Sequence, residues 1–128
     1  MMKKALALLL VVCLAFGVLA ACSAKEEPAA AEEKVYKVAM ICDSSISDGG
    51  WGAACYNGMV DAAAARGWET AYTDSIDQSA YADTMISYCD LGYDMIFAPG
   101  NQYSDAVAQV AADYPDVCFA VLNGSTEL

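Results

Sequence analysis

The chain has 128 residues, with 6 basic and 17 acidic side chains, no histidine and a net charge of −11. So few cations exclude a nucleic-acid binder that works by neutralising phosphates. The missing imidazole excludes histidine triads, histidine–metal sites and histidine acid–base chemistry. The length allows one domain, and the 58% hydrophobic content is high enough to point to an apolar segment outside the fold.

That segment stands first. Met1-Met2-Lys3-Lys4 is a short basic start, and the 17 residues from Ala5 to Ala21 carry no charge. The run is short for a membrane span, and the basic-then-apolar order is that of a secretory signal peptide. It ends Leu19-Ala20-Ala21-Cys22, small residues and then a cysteine, which looks like a bacterial lipobox with Cys22 lipidated. Residues 1–21 take away two lysines and no acid, so the remaining 107 positions hold 4 basic and 17 acidic residues, a net charge of −13. Residues 22–34, polar and rich in Ala and Glu, read as a tether, and the fold is expected from about Val35.

Val35–Cys42 is nearly continuously apolar, as expected of a strand buried on both faces. A polar loop over 43–50 leads to a helix over Trp51–Arg66, with Trp51, Cys55, Met59 and Ala62 at helical spacing and Gly67 as its stop. Trp68–Thr73 is a second strand. Ser79–Leu91 is a second helix with Tyr81, Met85, Tyr88 and Cys89 on one stripe, stopped by Gly92. Tyr93–Ala98 is a third strand, broken by Pro99-Gly100. Tyr103–Tyr114 is a third helix with Tyr103, Val107, Val110 and Ala111 in its stripe, and Val117–Leu122 is a fourth strand. This β-α-β-α-β-α-β order predicts an α/β fold, a parallel Rossmann-like sheet with helices on both faces. It lacks the elements that would complete such a sheet, so 35–128 is expected to be the N-terminal part of a longer protein.

Cys42, Cys55, Cys89 and Cys118 contain no C-x-x-C spacing, which argues against a zinc ribbon or a redox pair. Their apolar surroundings suggest buried thiols, with one disulfide as the alternative.

Ligands of open α/β sheets bind beyond the carboxyl ends of the strands, where strand order reverses. After strand 1 the sequence reads Asp43-Ser-Ser-Ile-Ser-Asp48-Gly-Gly-Trp51. It lacks the G-x-G-x-x-G of a dinucleotide site and the Gly-Lys-Ser/Thr of a P-loop. Ala98-Pro99 also stands where a receiver domain needs an acceptor aspartate. What remains suits a neutral polar ligand: Asp43 and Asp48 as acceptors, Ser44 as donor or acceptor, and Trp51 as a flat apolar face. Asp48 could instead cap the helix, and Trp51 could pack it onto the sheet. Gly100 would let a backbone approach a ligand closely, with Asn101 and Asn123 as further polar candidates, or these positions form ordinary turns. No metal or cofactor is called for. No nucleophile–base pair is visible, so the residues do not point to an enzyme.

Several stretches carry a resemblance. Val38–Asp43, Ser47-Asp-Gly-Gly-Trp51, Leu91-Gly-Tyr-Asp-Met-Ile-Phe-Ala-Pro-Gly100, Ser104-Asp-Ala-Val to Ala111, and Tyr114-Pro-Asp-Val-Cys-Phe-Ala120 together resemble the basic membrane protein family. These are lipid-anchored substrate-binding proteins of ABC importers, similar to purine-nucleoside receptor lipoproteins, and the likeness covers 35–124. It implies a periplasmic-binding-protein type I lobe, one of two closing on a solute. It also implies an ABC permease as partner, a membrane anchor through Cys22, and a location on the outer face of the bacterial cytoplasmic membrane. Asp43 and Asp48 fit the family's two acids, and Trp51 falls where its base-stacking phenylalanine stands. Gly50, Gly52 and Ala53 replace a serine and an Asn-Gln pair. Asn101 falls where an aromatic is common, and Asn123 where an aspartate often ends the strand. The implied ligand is a purine nucleoside, with a sugar or autoinducer-like solute as the alternative.

Overall fold

The computed structural model describes residues 34–124; the expected signal segment, Cys22 and most of the tether lie outside them. Four strands, β1 (Lys37–Ile41), β2 (Glu69–Thr73), β3 (Met95–Ala98) and β4 (Cys118–Val121), alternate with helices α1 (Trp51–Ala64), α2 (Tyr81–Asp90) and α3 (Ser104–Ala111). Single 3-10 turns, Gln78–Ala80 and Asn101–Tyr103, lead into α2 and α3. All neighbouring strands pair in parallel, in the order β2-β1-β3-β4. The expected α/β architecture is therefore the observed one, with helices on both faces.

Alternation along β1 assigns its two faces. Ala39 and Ile41 pack with Ile96 and Ala98 under α2 and α3, which contribute Tyr81, Met85, Cys89, Val107 and Val110. Val38, Met40 and Cys42 face the other way, under α1, with Met59 and Ala63. Since β1 is central, Val38–Cys42 is buried throughout, which explains its unbroken apolar run. The edge strands β2 and β4 are largely half-buried or exposed.

Three expectations change in detail. The buried side of α1 consists of Gly52, Ala53, Met59 and Ala63, not a stripe through Trp51 and Ala62. Small residues there let the helix lie close to the sheet, and Trp51 is left 57% exposed. The helix begins at Gly50 without a side-chain cap, and Asp48 instead accepts the Gly50 N–H at 2.7 Å. Cys42 and Cys89 are buried free thiols and Cys55 a half-buried one, but Cys118 is exposed because it opens an edge strand. Gly67 and Gly92 end α1 and α2 with φ of +67° and +73°, the left-handed geometry in which glycine avoids a Cβ clash.

Candidate functional site

The connection from β1 runs outward to β2, whereas that from β3 runs the opposite way to β4. The loops after β1 and β3 therefore diverge and leave a crevice at the carboxyl ends of these adjacent strands, the position where such sheets bind ligands.

Pairing continues one residue past β1, with Cys42 N–H donating to Thr73 O at 2.9 Å. At Asp43 the chain leaves the sheet, and its N–H donates instead to the Tyr103 hydroxyl at 2.7 Å. Gln102 Nε2 donates to Asp43 Oδ2 at 2.9 Å, and the Tyr81 hydroxyl donates a longer bond to the same oxygen at 3.5 Å. The rings of Tyr81 and Tyr103 pack with centroids 4.4 Å apart. Burial raises the Tyr103 phenol pKa far above its usual value. Burial, and then the neighbouring Asp43 charge, also raise that of Tyr81. Both phenols therefore keep their protons at neutral pH, and the groups around Oδ2 are donors.

Trp51 closes the other side of the crevice. Its indole N–H donates to Pro99 O at 2.6 Å, tying the first residue of α1 to the loop after β3. One hydrogen bond thus fixes an exposed aromatic ring without burying it.

The remaining candidates occupy different environments. Ser44 Oγ lies 3.3 Å from Cys42 Sγ, and a Cβ on Gly52 would approach these two atoms to 2.7 and 2.9 Å. Gly52 therefore lets α1 start against the strand end. Asp48 is exposed and braces the Gly49-Gly50 turn. Gly100 is extended, with φ 175°, and the space beside it is filled by the Gln102 amide, which a Cβ would meet at 2.1 Å. It makes room for Gln102 to fold back onto Asp43. Asn101 is exposed at the start of the 3-10 turn. Asn123, exposed beyond β4, adopts φ +55°, which asparagine tolerates. Among the described residues, no hydrogen bond joins Asn101 or Asn123 to the Asp43 cluster. The crevice thus brings together Asp43 and Trp51, with Ser44 and Gly100 just behind.

Tyr81, Gln102 and Tyr103 were not apparent as site residues from the sequence. The two tyrosines count as apolar stripe positions by spacing. Their signal was chemical: a buried tyrosine hydroxyl needs a partner, and both stand at the helix ends nearest the strand carboxyl termini. Among the described residues, no group of three His, Cys, Asp or Glu side chains could hold a metal ion. None of their helices is long and apolar enough to cross a membrane.

Residues 35–127 match the family model Bmp, described as ABC transporter substrate-binding protein PnrA-like. The chain belongs to this family. Solved structures share the fold of this chain. A solute-binding protein of an ABC transporter system from Conexibacter woesei DSM 14684 is 23% identical with a TM-score of 0.61, over 66% of this chain and 28% of that one. A lipoprotein fragment from Peptoclostridium difficile 630 is 22% identical with a TM-score of 0.64, over 73% and 77%. At the sequence level, the transcriptional activator protein med of Bacillus subtilis (strain 168) is 22% identical over 95 residues. The chain spans 30% of the length of that curated relative.

Proposed function

We propose that residues 35–128 form the N-terminal part of the first lobe of a two-lobe solute-binding lipoprotein, exported and anchored through Cys22. In this reading residues 1–21 are the signal peptide and 22–34 the tether. The protein delivers its solute to an ABC permease, and the solute is a purine nucleoside.

One observation carries the reading: an acceptor carboxylate, Asp43, and an exposed aromatic face, Trp51, flank the same switch-point crevice, and hydrogen bonds hold both. A nucleobase stacks on the indole, and its ring N–H or a ribose hydroxyl donates to Asp43. Asp48, Ser44, Gly100, Asn101 and Asn123 line the approach or meet the solute once a second lobe closes over it. The scarcity of cations favours a ligand without phosphate. Arg66 is the one arginine of the chain, and it donates to Ala62 O at 2.9 Å just past the C-terminal end of α1, away from the crevice.

Calorimetric titration of the full-length gene product with adenosine, inosine and guanosine tests the assignment, and saturable binding to at least one is expected. Trp51→Ala then lowers affinity by about 1–3 kcal/mol. No binding to any nucleoside, with binding to a sugar instead, replaces the nucleoside by the alternative solute class. Cys22→Ser is expected to abolish incorporation of a labelled fatty acid; undiminished labelling contradicts the anchor.

A further inference from the structure

The arrangement behind Asp43 goes beyond naming it as a ligand residue, and it builds on the reading of the crevice as the solute site. An exposed carboxylate at the tip of a strand ordinarily samples several rotamers. Here its backbone is held from below by a fully buried hydroxyl, since Tyr103 is 0% exposed and accepts the Asp43 N–H at 2.7 Å. Gln102 and Tyr81 then converge on one oxygen, Oδ2. Oδ1 has no hydrogen bond among the described residues.

Phenylalanine would fill the Tyr103 site equally well for packing against Tyr81. The hydroxyl adds a desolvation cost that its contacts with the Asp43 N–H and with the Tyr81 hydroxyl offset. Gln102 reaches Oδ2 because Gly100 leaves the space for its amide. We propose that Tyr103 is a positioning residue: its buried hydroxyl fixes the backbone of Asp43 so that Gln102 and Tyr81 hold Oδ2 and Oδ1 faces the hydrogen-bond donor of the ligand. The site is thereby preorganised for a donor such as a ring N–H or a hydroxyl. A group that can only accept finds no partner on this carboxylate. Tyr103 itself touches no ligand atom in this scheme and acts through Asp43.

The test has a ligand-free arm and a ligand arm, both on the full-length gene product. In residue-resolved hydrogen exchange without ligand, Tyr103→Phe speeds exchange of the Asp43 amide by about 10-fold, the size of one net hydrogen bond. The Cys42 amide, bonded to Thr73 O, is unaffected. Equal acceleration at both amides, or none at Asp43, overturns the proposal. In the ligand arm, guanosine, inosine and adenosine are titrated into a double-mutant cycle. Tyr103→Phe weakens binding about 3- to 10-fold when Asp43 is present and leaves it unchanged in the Asp43→Ala background. The same loss in both backgrounds means that Tyr103 merely holds the loop, and it overturns the positioning role. Gln102→Met, at an exposed position that threatens folding less, shows the same dependence on Asp43; a loss independent of Asp43 counts against the proposal. Should none of the three nucleosides bind the unaltered protein, the nucleoside reading falls, and the exchange measurement alone decides the role of Tyr103.

Discussion

Two regions of the molecule invite comparison. A groove of about 550 Å3 runs beside α1 over β3, lined by Val38, Met59, Trp68, Met95, Phe97 and Leu122 among others. Between the loops after β1 and β3 stands instead a carboxylate held by an amide and two buried phenols, with an indole N–H bonded separately to Pro99 O. The groove exists because α1 alone covers its face of the sheet, whereas α2 and α3 share the other. It is uncovered sheet, the kind of surface a parallel sheet buries under another helix. Convergence of polar groups at the reversal of strand order selects the crevice; the groove, mostly apolar apart from Arg66, lacks such a set of placed polar groups, which a small polar ligand requires.

If this division is right, substitutions in the two regions affect different observables. Met59 lies 8% exposed at the floor of the groove. Met59→Ala is expected to lower unfolding stability by about 2–5 kcal/mol in urea titration and to leave solute affinity intact. A matching loss of affinity would blur the distinction. Gly52 sits where α1 meets the strand end behind the crevice, and Gly52→Ala forces a Cβ to 2.7 Å from Ser44 Oγ and 2.9 Å from Cys42 Sγ. A loss of about 1–3 kcal/mol is expected, with some loss of affinity because Ser44 must shift. Unchanged stability would mean that the start of α1 is looser than described.

The smallest effect belongs to the opposite end of the sheet, where Asp94 pairs with Lys34 and accepts the Lys37 N–H at 2.9 Å. The hydrogen bond from Lys34 comes first among the causes that hold the Asp94 carboxyl below its usual range. A depressed carboxyl stabilises the fold above its unfolded pKa of about 4, and that contribution is lost as pH falls through the lower folded value. Asp94→Asn is therefore expected to flatten the melting-temperature profile slightly below about pH 4, with no effect on the crevice. A parallel acid limb in variant and parent would remove the contribution, as happens for many surface pairs.

The fold was legible because its signals are local: the apolar run of β1, the terminating glycines at 67 and 92, and the stripes of α2 and α3. The stripe of α1 misled because its buried side, apart from Met59, is built of Gly52, Ala53 and Ala63, which carry little hydrophobic contrast, while Trp51 stays exposed and bonds to Pro99 O. Cys118 misled because its exposure depends on which strand ends up at an edge. Within the site, Asp43 and Trp51 could be read from a single loop. Tyr81, Gln102 and Tyr103 could not, since Gln102 and Tyr103 reach Asp43 across about 60 positions of sequence. Only the order of the strands brings them together.

The chain contains two tryptophans, Trp51 at the crevice and Trp68 at the groove, so each region carries its own fluorophore. The most direct measurement is a titration of the Trp68→Phe and Trp51→Phe forms of the full-length gene product with guanosine, inosine and adenosine. A saturable change in emission that persists in Trp68→Phe and is lost in Trp51→Phe is expected. A response that persists in Trp51→Phe and is lost in Trp68→Phe would move the solute to the groove and contradict the assignment of the crevice.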